Sequence, residues 1–594
     1  MSKKFVKILV AIFLLNFYLI SSGKGENISP QIVITPSRFE EKIVISPYDT
    51  IVITGKELKE KGMKTLDEAL RNVCGLFLTQ NGAGGITSIF TRGLDSKYTV
   101  VMIDGIKVYD PSEISEGDAS WIVPAISVKN IDRIEIVKGV NTSLYGSNAV
   151  GGIINIITKK PKKTEVSVWS EIGSYDTFNK GGAISLKKGN FFGKLSVSHL
   201  QMNDFSKKAA YPDHDYYHNL NILEKLGFQN EKFEAAVSTY ILKVRQDLDG
   251  WDYNERTSLE NFQGNFKYAL SPDVRFHLKV NYTPTKREYN DAKDVYRGRL
   301  FAVEFQNVFF LNKRLKTLIG FDYSKETADI DTRWENLKKS VYSYAPFLSL
   351  IFDLNKFYLK SGVRYNYHET SGDSLTADLS SYWFPFKYLK LYINIGKGFV
   401  SPSLYQLYSS YGNKDLKPEK SLSLATGLSL YTFKNRVIWN LSYFTSKIKD
   451  KIEYDFSTSK YYNIGEVNTR GYEASVAGKL NKFVKTMFYY DWLWAKDKNG
   501  KVLSRRPHIK AGGEVTFLYK NASFTFESKY VGNYKDGSHS LGRYFVANLY
   551  FSYQVKEHLR VYGKVLNLFD RDYQEIYGYN TYKRSIWVGA EIKW

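Results

Sequence analysis

The chain is 594 residues long and carries 83 basic against 61 acidic side chains, a formal net charge of +22, and 16% of its residues are aromatic. A hydrophobic fraction of 43% with only 24% charged residues excludes disorder, because a large core can be buried. The single cysteine, Cys74, excludes a disulfide framework and any cysteine-rich metal site, and past residue 21 there is no apolar run of the roughly 18 residues that a helical membrane span requires.

Lys3, Lys4 and Lys7 precede an apolar run from Ile8 to Ile20, which the small residues Ser21, Ser22 and Gly23 follow. Charged, apolar, then small is the order of a secretory signal, and the run is too short to cross a bilayer comfortably. Residues 1–25 are expected to be a signal peptide, cleaved between Gly23 and Glu26, rather than a lone anchor. The next segment, 26–40, holds Gln31-Ile32-Val33-Ile34-Thr35-Pro36, β-forming residues that could pair with a partner's sheet edge or open the folded domain as an ordinary strand.

Residues 41–160 mix helix and strand signals and are expected to fold as a compact α+β domain. Thr54 can cap a helix over Lys56–Lys61, and Thr65 one over Leu66–Val73 with Glu68 at capping-box spacing. Val100–Ile103, Ile134–Val137 and Ile153–Ile157 are short apolar runs that predict strands.

From 161 to 594 the period becomes two. Leu389, Leu391, Ile393 and Ile395 alternate with Lys390, Tyr392 and Asn394, and Ile586, Val588, Ala590 and Ile592 with Trp587, Gly589 and Glu591. Each such strand has one apolar and one wet face. No second set of more apolar strands exists to cover so many apolar faces, so the pattern predicts an all-β transmembrane barrel that turns them to lipid. At roughly 20 residues per strand with its connection, 161–594 accommodates about 20 to 24 antiparallel strands. A barrel of about 22 strands would leave a wide lumen, and the α+β domain before it is the right size to plug it.

Several motifs carry a resemblance. They include Gln80-Asn81-Gly82, Ile89-Phe90-Thr91-Arg92-Gly93, Val101-Met102-Ile103-Asp104-Gly105, Ile131-Asp132-Arg133-Ile134-Glu135 and Tyr145-Gly146-Ser147-Asn148-Ala149-Val150-Gly151-Gly152. Phe399-Val400-Ser401-Pro402, Lys417-Pro418-Glu419, Gly471-Tyr472-Glu473 and Asn567-Leu568-Phe569-Asp570 follow in the same order. From about residue 30 to the end the chain resembles the TonB-dependent outer-membrane receptors. Within that family Gln406-Leu407-Tyr408 and Tyr577-Gly578-Tyr579 bring it nearest to the cobalamin receptors.

The resemblance implies energised uptake of a scarce metal chelate across the bacterial outer membrane by a monomer. Cobalamin is the first expectation, a ferric siderophore the alternative, and a non-transporting barrel or adhesin a remote one. Gln31, Ile32, Val33, Ile34 and Thr35 would be the TonB box, reaching into the periplasm for TonB and its inner-membrane energising complex. Arg92 and Arg133 would lock the plug to barrel glutamates Glu419 and Glu473, the alternative being that they meet only water and backbone. Asn81, Gly82, Gly85, Thr87 and Ser88 would meet the substrate from below.

Asp204, Asp213, Asp215, Asp247 and Asp249 form carboxylate clusters of the kind that suits calcium, and cobalamin receptors have acidic loops in similar places. The alternative, given Lys207, Lys208 and Arg245, is a solvated mixed-charge loop. No nucleophile–base or metal constellation points to an enzyme, no cofactor is needed for catalysis, and no basic stretch points to nucleic acid. The basic excess suits either solvated loops or the phosphates of outer-membrane lipopolysaccharide.

Overall fold

The computed structural model describes residues 32–211, 214–248, 253–289 and 293–594. The signal segment 1–25, Gln31, Asp213 and Asp249 lie outside the described residues.

The N-terminal domain is built around a five-stranded sheet. Its strands β3 (Asp49–Thr54), β6 (Thr99–Ile103), β7 (Ile106–Lys107), β8 (Ile131–Lys138) and β9 (Gly152–Thr158) lie in the order β3-β8-β9-β6-β7. The pair β6 and β9 is parallel, the others antiparallel. Ahead of them β1 (Ile32–Val33) pairs with β2 (Glu41–Lys42), and β4 (Leu76–Gln80) pairs with β5 (Thr87–Thr91) as a separate hairpin.

Helix Gly55–Glu60 starts at Thr54, whose hydroxyl accepts from Glu57 N while Glu57 returns a bond to Thr54 N. This is a complete capping box, and it is the neighbouring helix that departs from expectation. Helix Leu66–Leu70 follows Thr65, but the Thr65 hydroxyl bonds Asp67 at 2.5 Å and Glu68 accepts from Lys64 N at 2.9 Å. Glu68 is drawn away by the barrel: burial alone would raise its pKa, yet Lys564 and Lys64 hold it down to about 2. Leu66, Leu70, Ile122, Ile134 and Ile154 are fully buried and form the centre of the domain's core.

Strand β10 (Glu165–Gly173) opens the barrel, and the final strand, Ser585–Lys593, closes it by pairing with β10 from Ser167↔Lys593 to Gly173↔Trp587. In between, each barrel strand pairs antiparallel with the next one along the chain, with a small separate hairpin of Tyr534–Asp536 and His539–Leu541 set between two of them, giving one closed barrel of 22 strands among the described residues. Short turns such as 189–190 and 520–521 lie at the end where the plug enters, and long connections such as 401–418 and 567–584 at the other. That asymmetry sets the first end in the periplasm and the second outside the cell.

Period two survives along the walls. Lys390, Tyr392 and Asn394 are buried toward the plug, while Ile393 and Ile395 are exposed toward lipid. The inward face is wet only where the plug leaves room: Trp587, read from the sequence as a wet-face residue, is 1% exposed, with the Lys64 ammonium 4.2 Å from its ring centre.

Candidate functional site

Three places in the plug could carry function: its N-terminal segment, its ion pairs with the barrel, and its outward tip.

The segment that begins at Ile32 is docked. Beyond the β1–β2 pairing, Glu135 Oε2 on β8 accepts from Ile34 N at 3.0 Å, Thr35 N at 2.8 Å and Thr35 Oγ1 at 2.6 Å. Asn155 donates to Thr35 Oγ1 at 3.0 Å, Tyr145 OH to Thr35 O at 2.9 Å, and barrel Lys360 to Pro36 O at 3.1 Å. Val33 and Thr35 are fully buried, whereas Ile32 is half exposed. These bonds replace the ladder a free strand edge would offer, so another strand could take the segment only after they break. Just beyond it, the Arg38 guanidinium inserts between barrel carboxylates, 3.2 Å from Asp322 and 3.8 Å from Glu304. Asp322 is shared with Arg364 at 2.6 Å.

Of the four residues expected to lock plug to barrel, two meet. Arg92 reaches Glu473 with Nε at 3.0 Å and Nη2 at 2.8 Å, a two-point contact in a fully buried setting. Lys138 joins the same carboxylate at 2.9 Å, and Asp49 bridges both cations at 3.0 and 2.8 Å.

Arg133 meets neither barrel glutamate. Arg133 binds Asp132 at 2.9 Å and Glu135 at 2.8 Å, while Glu419 takes Lys97 and Tyr98 OH, each at 2.7 Å. The reason is position along the plug. Glu419 begins its strand at the extracellular rim, whereas Arg133 starts β8 at the periplasmic end, two residues before Glu135 and on the same face. Arg133 thus steadies the carboxylate that holds the N-terminal segment.

The tip between β4 and β5 is a tight turn. Gly82 and Gly84 have φ of +73° and +70°, and a Cβ at Gly84 would lie 2.3 Å from the Tyr217 ring. A Cβ at Gly85 would meet Asn81 O at 2.1 Å. Thr87, expected to face substrate, is fully buried: its N donates to Ser120 O at 2.8 Å and its hydroxyl to Gly85 O at 3.2 Å. Asn81 and Ser88 remain partly exposed, and Ile86 and Ile114 stand out from the surface.

The loop after β7, which meets β5 through the Ser120 carbonyl, carries Glu113, Glu116 and Asp118. Burial pushes Glu113 up to about 7 and Glu116 up to about 8, and raises Asp118 as well. Arg287 holds Glu113 at 2.8 Å and Asp110 at 3.2 Å.

The acidic loops are partly engaged, one carboxylate by a ring and the rest through backbone groups. Asp204 meets the His214 ring, Asp215 accepts from Lys207 N at 2.7 Å, and the Lys207 ammonium lies 2.5 Å from Asp247 O. Among the described residues no three His, Cys, Asp or Glu side chains gather to hold a metal ion.

Arg38, Asp49, Lys97, Lys138, Glu135 and Asp322 were missed from sequence. For Asp322 a signal existed: it has lumen-facing parity on Leu315–Asp331, opposite outward Ile319 and Phe321. Cys74 is buried, with its thiol donating to Asp491 at 3.0 Å.

A lipid-facing barrel filled by a domain that holds its own N-terminal segment defines a gated outer-membrane transporter, not a pore. Residues 166–568 match the family model of the TonB dependent receptor-like beta-barrel, and 43–153 that of the TonB-dependent Receptor Plug Domain. The chain belongs to the TonB-dependent receptors, which are transporters and receptors of the outer membrane rather than enzymes.

Among curated relatives, the Vitamin B12 transporter BtuB of Vibrio cholerae is 26% identical, covering 94% of each chain, and that of Photobacterium profundum 27%, covering 96% of each. Among solved structures, the Ferric-Catecholate import receptor Fiu of E. coli K12 superposes with a TM-score of 0.81 at 16% identity, covering 96% of this chain and 100% of that one. The ferric enterobactin receptor PfeA of Pseudomonas aeruginosa gives 0.79 at 16% identity, covering 92% and 99%. These structural likenesses establish the fold.

Proposed function

We propose that this transporter takes up cobalamin or a closely related corrinoid. The observation that carries the reading is the likeness to vitamin B12 transporters along 94–96% of both chains. The tip chemistry supports it. The loop after β7, which meets β5 through the Ser120 carbonyl, carries Glu113, Glu116 and Asp118; Arg287 reaches Glu113 at 2.8 Å, and burial raises all three carboxyl groups. A carboxyl group raised by burial can donate as well as accept a hydrogen bond, which suits an amide-rich ligand.

In this reading Ile32 to Thr35, with Gln31 ahead of them, is the TonB box. Substrate at the tip loosens the contacts that dock it, the freed strand pairs with TonB, and the pull transmitted through Arg38 and β8 works against the Arg92–Glu473 cluster. That cluster is polar, so it separates into a wet lumen without tearing a hydrophobic core. Calcium belongs to the same proposal. Asp204, Asp213, Asp215, Asp247 and Asp249 would take it up only with the His214 ring displaced from Asp204 and the Lys207 amide released from Asp215.

The test is cyanocobalamin binding to purified, detergent-folded protein, in calcium and in chelator. Tight binding supports the corrinoid, and its loss in chelator supports the ion. No binding in either condition overturns the corrinoid reading and moves ferric siderophores to first place.

A further inference from the structure

The outward face of the barrel is not uniform around its circumference. On Phe233–Leu248, Tyr253–Ser271, Val274–Tyr289 and Asp294–Phe310 the lower outward positions are apolar apart from Thr239 and Asn307, and an aromatic row, Phe262–Tyr282–Phe301, runs across three of these strands in register. Above that row the same outward positions become cationic: Lys243, Arg245, Arg256, Lys286, Arg297 and Arg299. Arg299 lies two residues above Phe301, opposite Pro284, and Lys286 lies opposite Arg297 in the next row. Farther along the same wall Lys325 and Lys338 are also exposed.

The opposite wall is different. Lys510, Glu527, Lys529, Arg560, Lys564 and Glu591 there all point inward, to the plug or to its neighbours. The outward positions of Ile509–Tyr519, Ala522–Val531, Leu559–Leu566 and Ser585–Lys593 are left with Ala, Val, Ile, Leu, Phe, Tyr, Gly and Ser alone.

Two features of the basic wall are costly for the isolated protein. Arg245 is directly opposite Arg256, and Lys286 directly opposite Arg297, and like charges so placed destabilise a sheet. Carboxylates answer only part of this. Glu288 meets Lys286 at 2.5 Å and Asp329 meets Arg297 at 3.6 Å. Asp247 and Glu260 also lie on this wall, but Lys243, Arg245, Arg256 and Arg299 form no ion pair among the described residues.

Cations facing each other across neighbouring strands, two guanidiniums in one pair and an ammonium with a guanidinium in the other, suit phosphate oxygens, which arginine binds at two points. The height, directly above the aromatic girdle on the extracellular side, is where lipid headgroups of the outer leaflet begin. We propose that this wall is a docking site for lipopolysaccharide, with its phosphates bridging Arg245 to Arg256 and Lys286 to Arg297 and its acyl chains lying on the apolar strand faces below. The inference concerns the barrel exterior and stands whatever the transported substrate is.

Purified full-length protein in detergent is mixed with bisphosphorylated lipid A, with the same lipid stripped of both phosphates, or with phosphatidylglycerol, and bound lipid is counted by native mass spectrometry. Bisphosphorylated lipid A is expected to be retained at least tenfold better than either of the others. The variant Arg245→Gln/Arg256→Gln/Arg299→Gln is expected to lose at least tenfold of that retention, and Lys232→Gln/Lys313→Gln/Lys482→Gln, altered in exposed periplasmic turns, to keep it. Equal retention of the phosphorylated and stripped lipids by the unaltered protein overturns the proposal, independently of how any variant folds. So does phosphatidylglycerol bound as well as lipid A, or full retention by an arginine variant that keeps its heat-modifiable gel shift.

Discussion

Replacing Glu473 should loosen the plug without unfolding the barrel. Its carboxylate serves Arg92 at 2.8 Å and Lys138 at 2.9 Å, and accepts from Ser442 at 3.2 Å. Two such contacts are worth roughly 4 kcal/mol each at an effective dielectric near 20. Burying the carboxylate offsets several kcal/mol of that, so Glu473→Ala is expected to cost about 3–5 kcal/mol, the range for breaking a buried pair from one side. Asp49 would then face two cations alone, leaving the cluster one positive charge in excess.

The cost should fall on the plug, because the barrel ladder around residue 473 is made of backbone bonds that the change does not touch. Hydrogen exchange in β3 and β8 should accelerate while exchange in the barrel strands holds. A cycle of Arg92→Gln and Glu473→Gln should give a coupling above about 1.5 kcal/mol. Additive effects in the cycle, or β3 and β8 amides that exchange at the unaltered rate, would refute the assignment of this cluster as the plug's anchor.

Further consequences follow from the same contacts. Asp322→Asn leaves Arg38 with Glu304 at 3.8 Å as its one carboxylate partner, so a spin label at Val33 should gain mobility, by about 1.5–3 kcal/mol of lost docking; an unchanged spectrum would count against the link. Deleting residues 31–36 should abolish uptake and spare binding, and uptake that persists would remove the TonB-box assignment. Gly84→Ala, at φ +70° with a Cβ 2.3 Å from the Tyr217 ring, should cost about 1–3 kcal/mol locally and weaken ligand binding, with barrel melting unchanged as the control.

The pH dependence has a definite sign. Burial and the nearby Glu326 raise Glu116 from an ordinary 4.5 to about 8, so its ionisation opposes the folded plug above that value and not below 4.5. Glu116→Gln should therefore stabilise the plug at pH 9 and leave it nearly unchanged at pH 4.5. An equal effect at both would show that the group is not held neutral.

The architecture was legible in sequence because it rests on local periodicity. Alternation such as Leu391, Ile393 and Ile395 against Lys390, Tyr392 and Asn394 sets which face meets lipid whatever the register, and the mixed signals before residue 160 separate plug from barrel. The contact between Arg92 and Glu473 was accessible through motifs that travel together. What lay beyond sequence were the partners chosen by height within the lumen. Arg133 and Lys97 are both plug cations, and only the rise of β8 from the periplasmic end takes the first to Glu135 while the turn at 96–98 lifts the second to Glu419. Thr87 reads as a polar tip residue, but the Ser120 carbonyl from a distant loop turns it inward. The cationic wall likewise exists only once four strands are brought into register, since each contributes one or two arginines or lysines that mean nothing singly. A strand's periodicity fixes which way a side chain points; closure of the sheet and the seating of the plug fix what it finds there.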